Sequence, residues 1–151
     1  MNGESLVCTD IKAGKASRFI KPAWIDAGRI TTQAFDLREG NPPEPYVSHF
    51  LVSGVGAEIF VNAHKLISKA RTCNNGSIAI IDIAEALSEI NEKDEKLIKF
   101  FDQKLPHCGL VYLTSSQEEI LETKATLCLL AQLNVVSVKS LLSNTAERKI
   151  A

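Results

Sequence analysis

No stretch of this sequence approaches the roughly 20 consecutive apolar residues that a membrane-spanning helix needs. An excess of one charge is missing too: 17 lysines and arginines stand against 18 aspartates and glutamates, a net charge of −1. Without a global field, attraction to nucleic acid or to an anionic membrane requires a local patch. The four cysteines, Cys8, Cys73, Cys108 and Cys128, form no Cys-x-x-Cys pair. Three of them sit in or beside apolar segments, as buried thiols do, so no disulfide framework is expected. A glycine-rich phosphate loop, a paired histidine–glutamate zinc motif and a nucleophile elbow are all absent, and with them the strongest local signatures of catalysis. Around Leu6 to Cys8 the chain lacks the basic region and unbroken apolar core of a signal peptide. The cytoplasm is the expected location.

What is present is ordinary globular material. With 151 residues, 45% of them apolar and 23% charged, the composition matches a folded soluble domain. A chain of this size buries about two thirds of the surface its unfolded form exposes, enough for one core. No repeat and no low-complexity tract divides it. The expectation is a single α+β domain over residues 1–151, a mixed β-sheet with helices packed on it, with 1–16 and 144–151 as flexible tails.

Strand-like composition at Arg18-Phe19-Ile20 is interrupted by Pro22, and Asp26-Ala27-Gly28 reads as a turn into a second extended piece, Arg29 to Phe35. These two pieces are expected to pair. Three prolines between Asn41 and Tyr46 predict an extended loop, and Tyr46 to Val52 resumes β character. From Ala57 to Ala70 the apolar period becomes helical, with Ile59, Ala63, Leu66 and Ala70 on one stripe. Asn74-Asn75-Gly76 is a turn signal. It leads to Ser77-Ile78-Ala79-Ile80-Ile81, a continuous apolar run of the kind buried on both faces and the expected centre of the sheet. Asp82 with Glu85, and Ser116 with Glu119, have the spacing of helix N-caps. Leu97 to Phe101, Gly109 to Leu113 and Val135 to Val138 read as strands. The helix expected from Ser116 to about Leu133 is apolar nearly all round in its second half, which implies burial on two sides or a contact with another subunit.

Few residues offer chemistry. Pro106-His107-Cys108-Gly109 brings an imidazole and a thiol into a strand from a proline-fixed loop, making His107 and Cys108 the catalytic candidates. Neighbours in a strand point to opposite faces, so His107 is badly placed to activate Cys108. The three histidines, His49, His64 and His107, share no metal-binding spacing, and neither a metal nor a cofactor is expected. Arg18, Trp24 and Arg29, with Lys21 nearby, suit an anion or a stacked ring. A sequence pI of 6.3 argues against nucleic acid as the partner.

The stretch Ser17-Arg18-Phe19-Ile20-Lys21-Pro22-Ala23-Trp24-Ile25-Asp26-Ala27-Gly28-Arg29-Ile30, continuing through Ala34-Phe35 and Leu37-Arg38, resembles the opening of a group of short uncharacterised bacterial proteins. The later Pro106-His107-Cys108-Gly109-Leu110 resembles that group's proline–histidine–glycine segment, with Cys108 where a small residue is more familiar. The resemblance implies no activity. It marks Arg18, Trp24, Arg29, Phe35, His107 and Gly109 as positions to test. The leading expectation is a non-enzymatic accessory protein that binds a small ligand or a protein partner as a homodimer, with Arg18, Trp24, Arg29, His49 and His107 at the ligand. The rival is a small hydrolase or transferase that uses His107 and an arginine anion clamp.

Overall fold

The computed structural model describes residues 9–37, 46–91 and 96–143. The strands are β1 (Asp10–Ile11), β2 (Lys15–Ile20), β3 (Ile25–Asp26), β4 (Arg29–Ile30), β5 (Val47–Val52), β6 (Ser77–Asp82), β7 (Ile98–Asp102), β8 (His107–Tyr112) and β9 (Val135–Ser137). The helices are α1 (Glu58–Ala70), α2 (Ile83–Ile90) and α3 (Gln117–Leu133), with 3-10 turns at Pro22–Trp24 and Thr32–Phe35 and a further helical turn over 138–143. Seven strands form one sheet in the order β1-β7-β8-β5-β2-β6-β9, and β3 and β4 form a separate hairpin. The α+β class is as expected. Where a mixed sheet was anticipated, every described strand pair is antiparallel.

Strand alternation divides the core into two layers. On one face Ala16, Ile20, Val47, Ala79, Ile81, Phe100 and Leu110 meet α2, α3 and the Thr32–Phe35 turn, with Phe35 and Leu127 fully buried between them. On the other face Val52, Ile78 and Ile80 meet the Ile59–Ala63–Ile67 stripe of α1, and Val138 closes the end. β6 touches both layers, and its first five residues are all buried. Its position differs from expectation, because it is sixth of seven strands and β5 occupies the middle. Burial on both faces comes from helices above and below, not from centrality in the sheet.

Three local readings change. Ordered structure starts before Arg18: Asp10 and Ile11 pair with Phe101 and Phe100, and Lys15 and Ala16 pair with Asp82 and Ile81, so the front tail is shorter than residues 1–16. Gly14, at φ +112°, turns the chain between these strands. The Arg29 to Phe35 piece does not pair with Arg18 to Ile20. Only Arg29–Ile30 is strand, paired with Ile25–Asp26 through Ala27 and Gly28, both at positive φ. The chain then coils so that Ala34 and Phe35 plug the core. The proline loop, residues 1–8 and the tail after 143 lie outside the described residues.

The N-cap half of both proposed capping boxes forms, and at Ser116 the reciprocal half is replaced by bonds to Thr114. The Asp82 carboxylate accepts the Glu85 amide (3.0 Å) and the Lys15 ammonium (2.7 Å). The Lys15 bond first, and then the amide, hold that carboxyl below its ordinary range. Ser116 Oγ accepts the Glu119 amide at 3.2 Å, while the Glu119 carboxylate accepts a hydrogen bond from the Thr114 hydroxyl and the Ser116 amide donates to Thr114 Oγ1 at 3.1 Å.

Gly109 explains its place in the β8 segment. A Cβ there would lie 2.7 Å from the Phe101 ring and 2.9 Å from the Tyr46 ring, two rings that pack edge to face at 5.4 Å. Gly109→Ala is expected to cost about 1–3 kcal/mol by overpacking, measured as a lower urea midpoint with an unchanged slope.

Candidate functional site

The sheet is interrupted at one place. β2 pairs with β6 from Lys15 to Ile20 but with β5 only at Lys15, Ala16 and Ser17. β5 meanwhile stays with β8 from Val47 to Phe50. Past Ser17, therefore, β2 and β5 diverge, and side chains cross the gap that backbone bonds leave. Ser17 Oγ donates to the Phe50 carbonyl (2.9 Å), and the Arg18 guanidinium donates from Nη1 to Ser48 O (2.8 Å) and from Nε to Ala34 O (2.7 Å). One guanidinium thus ties β2, β5 and the Thr32–Phe35 turn together, which a planar fork of donors does well.

A cleft of about 590 Å³ opens at this fork, within the usual range for small-molecule sites. Because the opening interrupts the sheet, residues from both faces line it. Phe19, Phe50, Ile67, Arg71 and His107 contribute from the α1 side, and Arg18, Trp24, Gln33 and Asp36 from the other. Arg18 and Lys21 lie 5.2 and 5.1 Å from the Trp24 ring centre, and Arg71 lies 4.5 Å from that of Phe19. Aromatic faces thus hold cations at the cleft. Asp36, the acidic residue on the wall, is paired with Lys124 at 2.6 Å. Among the described residues Lys21 and Arg71 form no ion pair.

Of the residues singled out from sequence, Arg18, Trp24 and His107 line this cleft together. The His107 ring leans on Phe50 at 4.7 Å. Arg29 does not join them; it is exposed on β4, opposite Asp26. His49 is 1% exposed, packed between Phe35 and Phe100 on the α3 side of the sheet, and does not line the cleft. Its Nδ1–H donates to the Val47 carbonyl at 3.0 Å, and its Nε2 has no hydrogen-bond partner among the described residues. Burial, and next the Arg18 charge, push its pKa down to about 3. Cys108 faces the core opposite His49. Burial and then Asp102 push its thiol up to about 12, which disfavours the thiolate at neutral pH and counts against Cys108 as a nucleophile. Cys128 is pushed up to about 11 and Cys73 upward, in both cases by burial first. Among the described residues no three His, Cys, Asp or Glu side chains gather as a metal site requires.

Sequence reading missed Arg71, Tyr46 and Phe50. Arg71 follows α1 as an unremarkable charged residue, and only the path of α1 over the fork brings it to the wall. Comparison with protein-family models, with curated proteins and with solved structures gave no match.

Two outcomes test this arrangement. Arg18→Lys keeps the charge, but one ammonium replaces a fork that spans two carbonyls on separate segments, so a loss of about 1–3 kcal/mol is expected in denaturant unfolding. His49 is neutral when folded down to about pH 3, whereas an unfolded histidine takes a proton below about 6.5. The unfolded state therefore binds more protons, and stability falls on acidification from about pH 6.5 towards 3 with a slope approaching about 1.4 kcal/mol per pH unit. His49→Phe is expected to flatten that slope in urea titrations across this range.

Proposed function

We propose that the chain is a small-ligand-binding protein whose cleft at the β2–β5 fork takes an organic anion, a carboxylate or phosphate ester, as a non-enzymatic accessory factor. The observation that carries the reading is the pairing of Lys21 and Arg71, two cations held on aromatic rings with no ion pair among the described residues, on the rim of one cleft. A bound anion supplies the missing partner and forms charge-assisted hydrogen bonds. Phe50 and Ile67 on the α1 side and Val47 on the other offer apolar surface for the ligand's body, and Gln33, Ser48 and His107 offer polar contacts that fix its orientation. The Cys108 thiol takes no part, since it is buried in the core and does not line the cleft.

One observation favours a second reading. His107 lines the same cleft as Arg18 from the opposite side, so an imidazole is available as acid or base beside a bound anion. Binding with turnover is the hydrolase or transferase alternative. Loss of turnover with retained binding in His107→Asn would select it.

Citrate and adenosine monophosphate, titrated calorimetrically at low ionic strength, test the binding reading. Saturable binding is expected with one or both, weakened about tenfold or more by Arg71→Ala or by Lys21→Ala, as suits the loss of one charge-assisted bond. Absence of binding, or affinity indifferent to both substitutions, would overturn the proposal.

A further inference from the structure

Helix α3 is apolar on two sides. Thr123, Leu127 and Ala131 are buried against the sheet. Leu121, Ala125, Leu129 and Leu133 recur every four residues on the far side, and the three leucines are 58%, 65% and 74% exposed. At about 100° per residue this stripe is centred opposite the buried one. The core does not account for this row of leucines, which shares its face with Glu118 and Glu122 near the helix start, and exposed apolar surface of this kind marks an interaction surface.

We propose that this face is a homodimer contact, in which α3 lies antiparallel to α3 of a second copy about a two-fold axis level with Leu127. The spacing is self-complementary. Leu121 and Leu133 stand six residues either side of Leu127, and Ala125 and Leu129 stand two either side. A two-fold axis there brings Leu121 against Leu133 of the second copy and seats each Leu129 over the small Ala125, a knob above a hole. The charge pattern selects this direction. The charged residues of α3, Glu118, Glu119, Glu122 and Lys124, all fall in its first half, and none occurs from Ala125 to Leu133. Antiparallel pairing lays each acidic half along the uncharged half of the other copy, whereas parallel pairing stacks Glu118 and Glu122 on themselves, which is destabilising. Lys124 does not offset them, being paired with Asp36. One helix from each copy buries less than the roughly 1,200–2,000 Å² of a stable complex, so the dimer belongs to the weak class.

Sedimentation equilibrium of the full chain between about 10 μM and about 1 mM covers the range in which a contact of this class forms. The apparent mass is expected to climb towards twice that of the monomer. Leu129→Glu, a change at a solvent-facing position, is expected to hold the chain monomeric throughout with unchanged circular dichroism. The double variant Leu121→Glu with Leu133→Lys places opposite charges face to face only in the antiparallel arrangement, so it associates more strongly than Leu121→Glu alone. A wild-type chain that stays monomeric at every concentration overturns the proposal. So does Leu129→Glu self-association equal to wild type, or a double variant no better than the single.

Discussion

The architecture turns on one guanidinium. Where β2 leaves β5, the sheet gives up the backbone bonds that would have continued past Ser17, and Arg18 replaces part of that loss with two hydrogen bonds to carbonyls on different segments. A charged donor in a partly buried place is tolerable because those carbonyls and the Trp24 ring surround it. Its field reaches further. The same charge disfavours protonation of His49 in the adjoining layer, so the support of the cleft and the neutrality of the core depend on one side chain. Removing it would open the fork and alter the electrostatics behind it.

Local signals were legible wherever local chemistry decides structure. The helical period from Ile59 to Ile67, the caps at Asp82 and Ser116, and the buried run from Ser77 to Ile81 each rest on contacts within a few residues or on a need for burial that any fold must meet. The order of strands was not legible. β5 lies between β2 and β8, and β1 beside β7, through pairings that join residues tens of positions apart. Nothing in Arg29 to Phe35 announces a coil in place of a strand, because the core's demand for Phe35 overrides the segment's β-propensity.

The candidate site shows the same division. Arg18, Trp24 and His107 stood out because their residue types are suited to binding, and the fold brings these three to one cleft. His49 was chosen for its chemistry alone, and burial cancels that chemistry by keeping the ring neutral and enclosed. Arg29 fails for a geometric reason: the Ala27-Gly28 turn carries it onto a separate hairpin. Arg71 and Phe50 enter only through tertiary structure. Recognising them requires knowing that the strands part, a property of three segments at once.

The pairing of β1 with β7 has a consequence for biosynthesis. Asp10 and Ile11 emerge from the ribosome well ahead of the strand that receives them, Ile98–Asp102, which is translated some ninety residues later. β2 faces a shorter wait for β5 and a longer one for β6. Asp10 and Ile11 must therefore remain unpaired while the residues between the two strands are made. Closing such long loops slows folding, and during that interval an unpaired early strand is the segment most in need of shielding from other nascent chains.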